Sequence, residues 1–186
     1  DRFVSEGGSL VVFEQSTMVI GDLALSNQVF FSAFASNHDH PLLDNISDED
    51  MIYWGPSITE DRPEAIIHRN YKKPASGEYT FVLESGKGDY ADGGDLWSPL
   101  MTMKHGKGEI VFCQLELTEN YEKVPQACVL LRNILTYAGN LSSNEYVSVS
   151  ACGEKADAFL SVTGIKKSEG GMDRNGIILA DIASAD

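Results

Sequence analysis

The residues best suited to chemistry stand at the end of one apolar run. Gly7-Gly8 leads through Ser9 into Leu10-Val11-Val12-Phe13, and the run stops at Glu14-Gln15-Ser16-Thr17. In α/β enzymes a strand tip of this kind is where a nucleophile is often held. A second carboxylate, Glu116, follows another apolar run, in Gln114-Leu115-Glu116-Leu117-Thr118. Two carboxylates near the carboxyl ends of parallel strands can form an acid/base pair of the glycosidase type. The plainer alternative is that each accepts hydrogen bonds from nearby backbone or a helix N-terminus. Ser16 and Thr17 offer hydroxyl groups, but no G-x-S-x-G surrounds them.

Three further groups have the right types for binding. Asp89, Asp92 and Asp95 sit among glycines in "GDYADGGDLW". Calcium takes clustered carboxylates on flexible loops, but this spacing is not that of an EF-hand and the closing Glu is missing. A solvated acidic loop accounts for the same residues. Trp54, Tyr90 and Trp97 fall near loops, where exposed rings could stack on sugars; otherwise the two tryptophans anchor their loops onto the core. His38 and His40 flank Asp39 in a turn, which reads as solvated rather than as a metal pair. Cys113, Cys128 and Cys152 show no CxxC spacing and read as small buried hydrophobes. No cofactor is implied.

The elements that must position these residues follow from pattern. The chain has 186 residues, 42% of them hydrophobic, enough for a real core. Its net charge of −14 argues against phosphate-backbone binding, so no nucleic-acid partner is expected. No apolar run approaches the roughly 18 residues of a transmembrane helix, so no membrane partner is expected. Strands are predicted over 10–13, 29–35, 65–71, 79–84, 100–104 and 109–115. His105-Gly106-Lys107-Gly108 is a hairpin signal, and 84–98 reads as a Gly/Asp-rich loop. Ser47 with Asp50 three residues on marks the start of a short helix. The clearest helix begins at Pro125, carries Leu130, Ile134 and Tyr137 at helical spacing, and stops at Gly139. Beyond it, 146–151, 154–163 and 176–182 read as a β-α-β restart.

Several phrases taken together carry a resemblance. "FVSEGGSLVVFEQS" resembles the segment that leads into the nucleophile strand of class I glutamine amidotransferase-like domains. "HPLLDNISDEDMIYWG" and "HGKGEIVFCQLELTENYEKVPQACVLLRNILTYAG" resemble the amidotransferase-like, flavodoxin-like domains appended to bacterial glycoside hydrolases, notably the β-galactosidase-like members of family 2. The resemblance spans about residues 1–140. It implies a nucleophilic Cys near Gln15, a His base where Glu116 stands and an orienting Glu where Thr118 stands. None of these is present, and an amide cannot replace a thiol as a nucleophile.

The reading taken forward is therefore an α/β fold: three layers, α/β/α, with a mainly parallel amidotransferase- or flavodoxin-like sheet and one β-hairpin. Residues 1–140 form a degenerate domain that lacks its opening strand-helix unit. Residues 141–186 either complete its sheet or begin a second domain. The start at Asp1-Arg2 predicts a segment of a longer polypeptide. The expected function is a non-catalytic accessory domain of a larger carbohydrate-active enzyme, in contact with that polypeptide's other domains. The alternatives are a carbohydrate-binding module using exposed Trp54 or Trp97, with Glu14 and Gln15 as further ligand-binding candidates, and a hydrolase using Glu14 and Glu116. Exchange of the 141–186 unit between two chains would make a homodimer. The resemblance implies export, to the periplasm or beyond.

Overall fold

The computed structural model describes residues 2–17, 23–52, 54, 65–89, 93–140, 149–152, 154–163 and 177–180. In chain order these form α1 (Arg2–Ser5), β1 (Ser9–Val12), β2 (Leu25–Ser26), β3 (Phe34–Ala35), 3-10 turns at Pro41–Leu43 and Asp48–Met51, β4 (Asn70–Lys72), β5 (Tyr79–Asp89), β6 (Gly93–His105), β7 (Gly108–Cys113), α2 (Leu117–Asn120), α3 (Pro125–Asn140), β8 (Val149–Cys152), α4 (Glu154–Thr163) and β9 (Ile177–Ala180).

Strands β1 to β7 make one curled sheet, and only its β1–β7 pairing is parallel. The expected three-layer α/β/α architecture with a mainly parallel sheet is thus corrected to a mostly antiparallel sheet with few helices. The reason is connection length. β5, β6 and β7 follow one another with only residues 90–92 and 106–107 between them, and so short a connection joins only antiparallel neighbours, whereas a parallel neighbour needs a crossover of about a dozen residues or more. The helices that would build the outer layers are also short. α1 and α2 are single turns, and only α3 and α4 are longer among the described residues.

β6 is the spine. Along one edge it pairs with β5, and along the other it carries β7 and β4 end to end: Leu100 lies opposite Cys113, then Ser98 opposite Tyr71. Register shifts between Phe81 and Ser85 bulge β5 and help the sheet curl. The stretch expected as a Gly/Asp-rich loop is instead the far half of this β5–β6 ribbon, with Lys87 opposite Asp95 and Asp89 opposite Gly93. Its glycines suggested a loop locally, but cross-strand pairing supplies what their propensity lacks. The strand expected over 29–35 shrinks to β3, preceded by single bridges at Phe30 and Ser32.

The turn from β6 to β7 places Gly106 at φ +63°, and any Cβ there would lie 2.5 Å from the Ser5 Cα. A Cβ on Gly108 would collide with the Gly8 and Val4 carbonyl oxygens. Both glycines therefore let the α1 segment lie directly on the hairpin. β7 itself is buried along its whole length. Val111 and Cys113 join Ala127, Leu130 and Ile134 of α3 in one core, while Ile110 and Phe112 join Val4, Tyr71 and Met101 in the other. Each large apolar side chain so enclosed contributes roughly 1.5–3 kcal/mol. Cys128 departs from expectation and is exposed. One position past buried Ala127, it is turned about 100° around the helix from the core stripe.

Ser47 and Asp50 meet as the sequence suggests: the Asp50 carboxylate accepts from the Ser47 N–H at 2.9 Å and from its hydroxyl at 2.8 Å. They start only a 3-10 turn. At the other end of the chain, β8 and β9 pair in parallel with each other, with α4 between them in sequence. Among the described residues they form their own two-stranded sheet, apart from the seven-stranded one. No described helix is long and apolar enough to cross a membrane.

Candidate functional site

The parallel register of β1 and β7, Val12 opposite Phe112, brings Glu14 and Gln114 out together at the carboxyl ends of the two strands. Beyond β7 the chain turns into α2, and β4 begins where β7 stops on the β6 edge. Three segments thus converge on one point.

Their polar side chains are tied to one another. The Gln15 backbone N–H donates to Gln114 Oε1 at 3.2 Å, and Gln114 Nε2 donates to the Tyr71 hydroxyl at 2.8 Å. Gln15 spends its own amide on the Phe13 and Glu14 carbonyls. Glu14 accepts from the Thr118 backbone N–H at 3.0 Å and from the Thr118 hydroxyl at 3.3 Å, in the first turn of α2. Glu116 Oε1 lies 3.3 Å from His68 Nδ1, with the carboxylate side chain 14% exposed and the imidazole side chain 57%.

Burial holds the Glu116 carboxyl above the usual carboxylate range; the charge of Glu14 pushes the same way, and His68 opposes it. Burial likewise lifts the Tyr71 phenol to about 12, against the lowering effect of Gln114. Cys113, one residue before Gln114, is wholly enclosed, and that burial keeps its thiol protonated well above the ordinary range. A protonated thiol packed in a core is no nucleophile.

Glu14, Gln15, Glu116 and Thr118, singled out along the sequence, therefore belong to one cluster. His68 and Tyr71 also belong to it and were missed. The available signal was Ile66-Ile67-His68, a histidine closing a short apolar run inside the strand expected over 65–71, of which only β4 and isolated bridges at Ile67 form. Chemically the cluster offers one carboxyl held toward its protonated form, Glu116, beside a second, Glu14, whose oxygens already accept two hydrogen bonds.

The remaining candidates lie elsewhere. Trp54 and Trp97 are buried, 6% and 7% exposed, which fits the anchoring reading and removes the basis of the alternative that used exposed rings. The Trp54 indole N–H donates to the Asp50 carbonyl at 2.8 Å. Trp97 lies in β6 between Lys72 and Ser85. Both anchor structure because large rings contribute most when enclosed. The backbones of Asp89 and Asp95 lie in the β5–β6 ribbon and not in a flexible loop, while Asp92 and Tyr90 fall outside the described residues. Among the described residues no group of three His, Cys, Asp or Glu side chains could hold a metal ion.

No protein-family model matches the sequence, and no curated protein matches it significantly. Among solved structures, a cytoplasmic protein from Salmonella typhimurium is similar at 14% identity with a TM-score of 0.40. The match covers 73% of this chain and 57% of that protein. A likeness this slight carries no argument about fold or function.

Proposed function

We propose that this chain is a non-catalytic accessory domain of a larger carbohydrate-active enzyme, and that its strand-end cluster closes the sheet rather than performing a reaction. The enzyme class rests on the phrase resemblance alone, now without the three-layer fold. The non-catalytic part rests on one observation. Where that resemblance needs a thiol beside a base, Gln15 spends its amide on the Phe13 and Glu14 carbonyls, Glu116 lies against His68, and the thiol next along β7, Cys113, is sealed in the core.

The test has two parts. The purified chain should release no ammonia from glutamine and no phenol from aryl β-galactosides beyond what the Glu14→Ala/Glu116→Ala double variant releases. In the intact parent polypeptide, removing this domain should lower thermal stability or assembly while kcat per folded active site is kept. A wild-type turnover that the double variant abolishes would sink the proposal.

One observation favours a second reading. Glu116 is held toward its protonated form beside the charge of Glu14, which is how an acid/base pair of carboxylates is set up. That hydrolase reading requires Glu116→Gln and Glu14→Gln each to abolish a measured turnover. Equal rates in wild type and variants remove it.

A further inference from the structure

At the opposite end of β7 from the Glu14 cluster lies an open concavity of about 880 Å³, between α3 and the chain around the Pro41–Leu43 turn. Small-molecule sites span roughly 300–1,000 Å³. Its wall is already fixed. Asn133 uses both amide hydrogens on that turn, donating to the Leu42 carbonyl at 3.3 Å and the Asp44 carbonyl at 2.7 Å. His40 Nδ1 accepts from the Leu42 N–H at 3.2 Å, which leaves the neutral ring its Nε2–H as a donor. Asn45 stands in the left-handed region at φ +57°. Local strain of this kind persists where surrounding structure enforces it, and a wall ordered beforehand lowers the entropic cost of binding.

The polar groups lining the concavity restrict what can bind. Arg132 is exposed and makes no ion pair among the described residues. Asp39 and Asp44 line the same space, and Glu109 lies buried behind Tyr137, whose hydroxyl donates to it at 3.1 Å. With net charge −14 as well, a multivalent anion would meet more repulsion than Arg132 offsets. A metal cation would meet Arg132, and no three-ligand group exists among the described residues. What remains matched is a neutral group that both donates and accepts. Arg132 and Asn45 can donate, Asp39 and the Asn133 carbonyl oxygen can accept, and the Thr136 hydroxyl does both. The Tyr137 and His40 rings, 5.4 Å apart, add an apolar surface beside these polar groups.

We propose that this concavity binds an uncharged polyhydroxylated ligand of mono- to disaccharide size, held by Arg132 and Thr136 over Tyr137. The site is distinct from the strand-end cluster, so it stands or falls apart from the accessory-domain proposal.

The test is an NMR titration of the whole chain with glucose, galactose, cellobiose and lactose, with phosphate and calcium chloride as comparators. At least one sugar should give saturable shifts confined to residues 38–46 and 132–137. Arg132→Ala and Thr136→Ala, both at exposed positions, should each weaken it about tenfold, as expected for losing one hydrogen bond to a ligand. Glu6→Ala, in the exposed Arg2–Glu6 pair, should bind as wild type does. Three results would each overturn the proposal: no saturable shift there with any of the four sugars, tighter binding of phosphate or calcium at the same residues, or unchanged binding in the Arg132→Ala/Thr136→Ala double variant.

Discussion

Gln114 donates its side-chain amide to the Tyr71 hydroxyl at 2.8 Å, and this bond locks the carboxyl end of β7 to the start of β4. Both residues are buried, at 2% and 0% exposure. The same Gln114 accepts from the Gln15 backbone, so one side chain ties three segments together.

Removing it strands buried groups. Gln114→Leu should destabilise the protein by about 1–3 kcal/mol, the cost of leaving buried polar atoms unpaired. Tyr71→Phe alone should cost less, and the double variant less than the sum of the two. Urea denaturation of the four proteins measures the coupling. Strict additivity would show that the bond contributes nothing.

Glu14 joins the end of β1 to the first turn of α2 through Thr118. Glu14→Ala should lower stability by about 0.5–1.5 kcal/mol, the net worth of such bonds at a partly exposed place. Thr118→Val, which keeps the backbone N–H, should cost less. Thermal unfolding of the two variants ranks them, and the reverse order would place the hydroxyl above the backbone donor.

Glu116 gives a pH signature with a definite sign. Burial raises its folded value above 4.5, so the folded state holds its proton more tightly than the unfolded state. Its contribution is intact below pH 4.5 and is lost as pH rises from there through the raised folded value. Glu116→Gln should therefore be more stable than wild type at neutral pH, with the difference vanishing in acid. Denaturant midpoints across that range check it. Equal stability at neutral pH would mean that the His68 contact offsets the burial.

His40 runs the other way. Burial lowers its folded value below 6.5, with the Glu109 charge opposing. The neutral ring is favoured in the fold, so the stability it carries is complete above pH 6.5 and is lost as pH falls toward the folded value. His40→Gln should flatten the acid limb of a stability profile, and an NMR titration of the imidazole should show the lowered value directly. A normal or raised value would contradict the burial.

Parts of the site were legible along the chain. Glu14 and Gln15 ended an apolar run, and Glu116 and Thr118 followed another, so their placement at strand tips needed only local pattern. Tyr71 and His68 were not legible. They reach the cluster because β4 lands end to end with β7 on the β6 edge, which sets Tyr71 against Gln114, 43 residues further along the chain. The Trp54 and Trp97 environments were equally silent, since a ring near a loop signal is enclosed or exposed according to what packs over it.

What the chain decided by itself was whatever depends on neighbours a few residues away. The α3 stripe of Ala127, Leu130 and Ile134 follows from helical periodicity, the Gly106 turn from the freedom of a residue without Cβ, and the Ser47–Asp50 contact from a three-residue spacing. Strand direction was settled only in three dimensions. Apolar runs such as Leu10–Phe13 and β7 suit a sheet covered on both faces whether it is parallel or antiparallel. The choice fell to connection length and to competition for the two edges of β6. That competition left β1 and β7 as the one parallel pair of the seven-stranded sheet, and so brought Glu14 to Thr118.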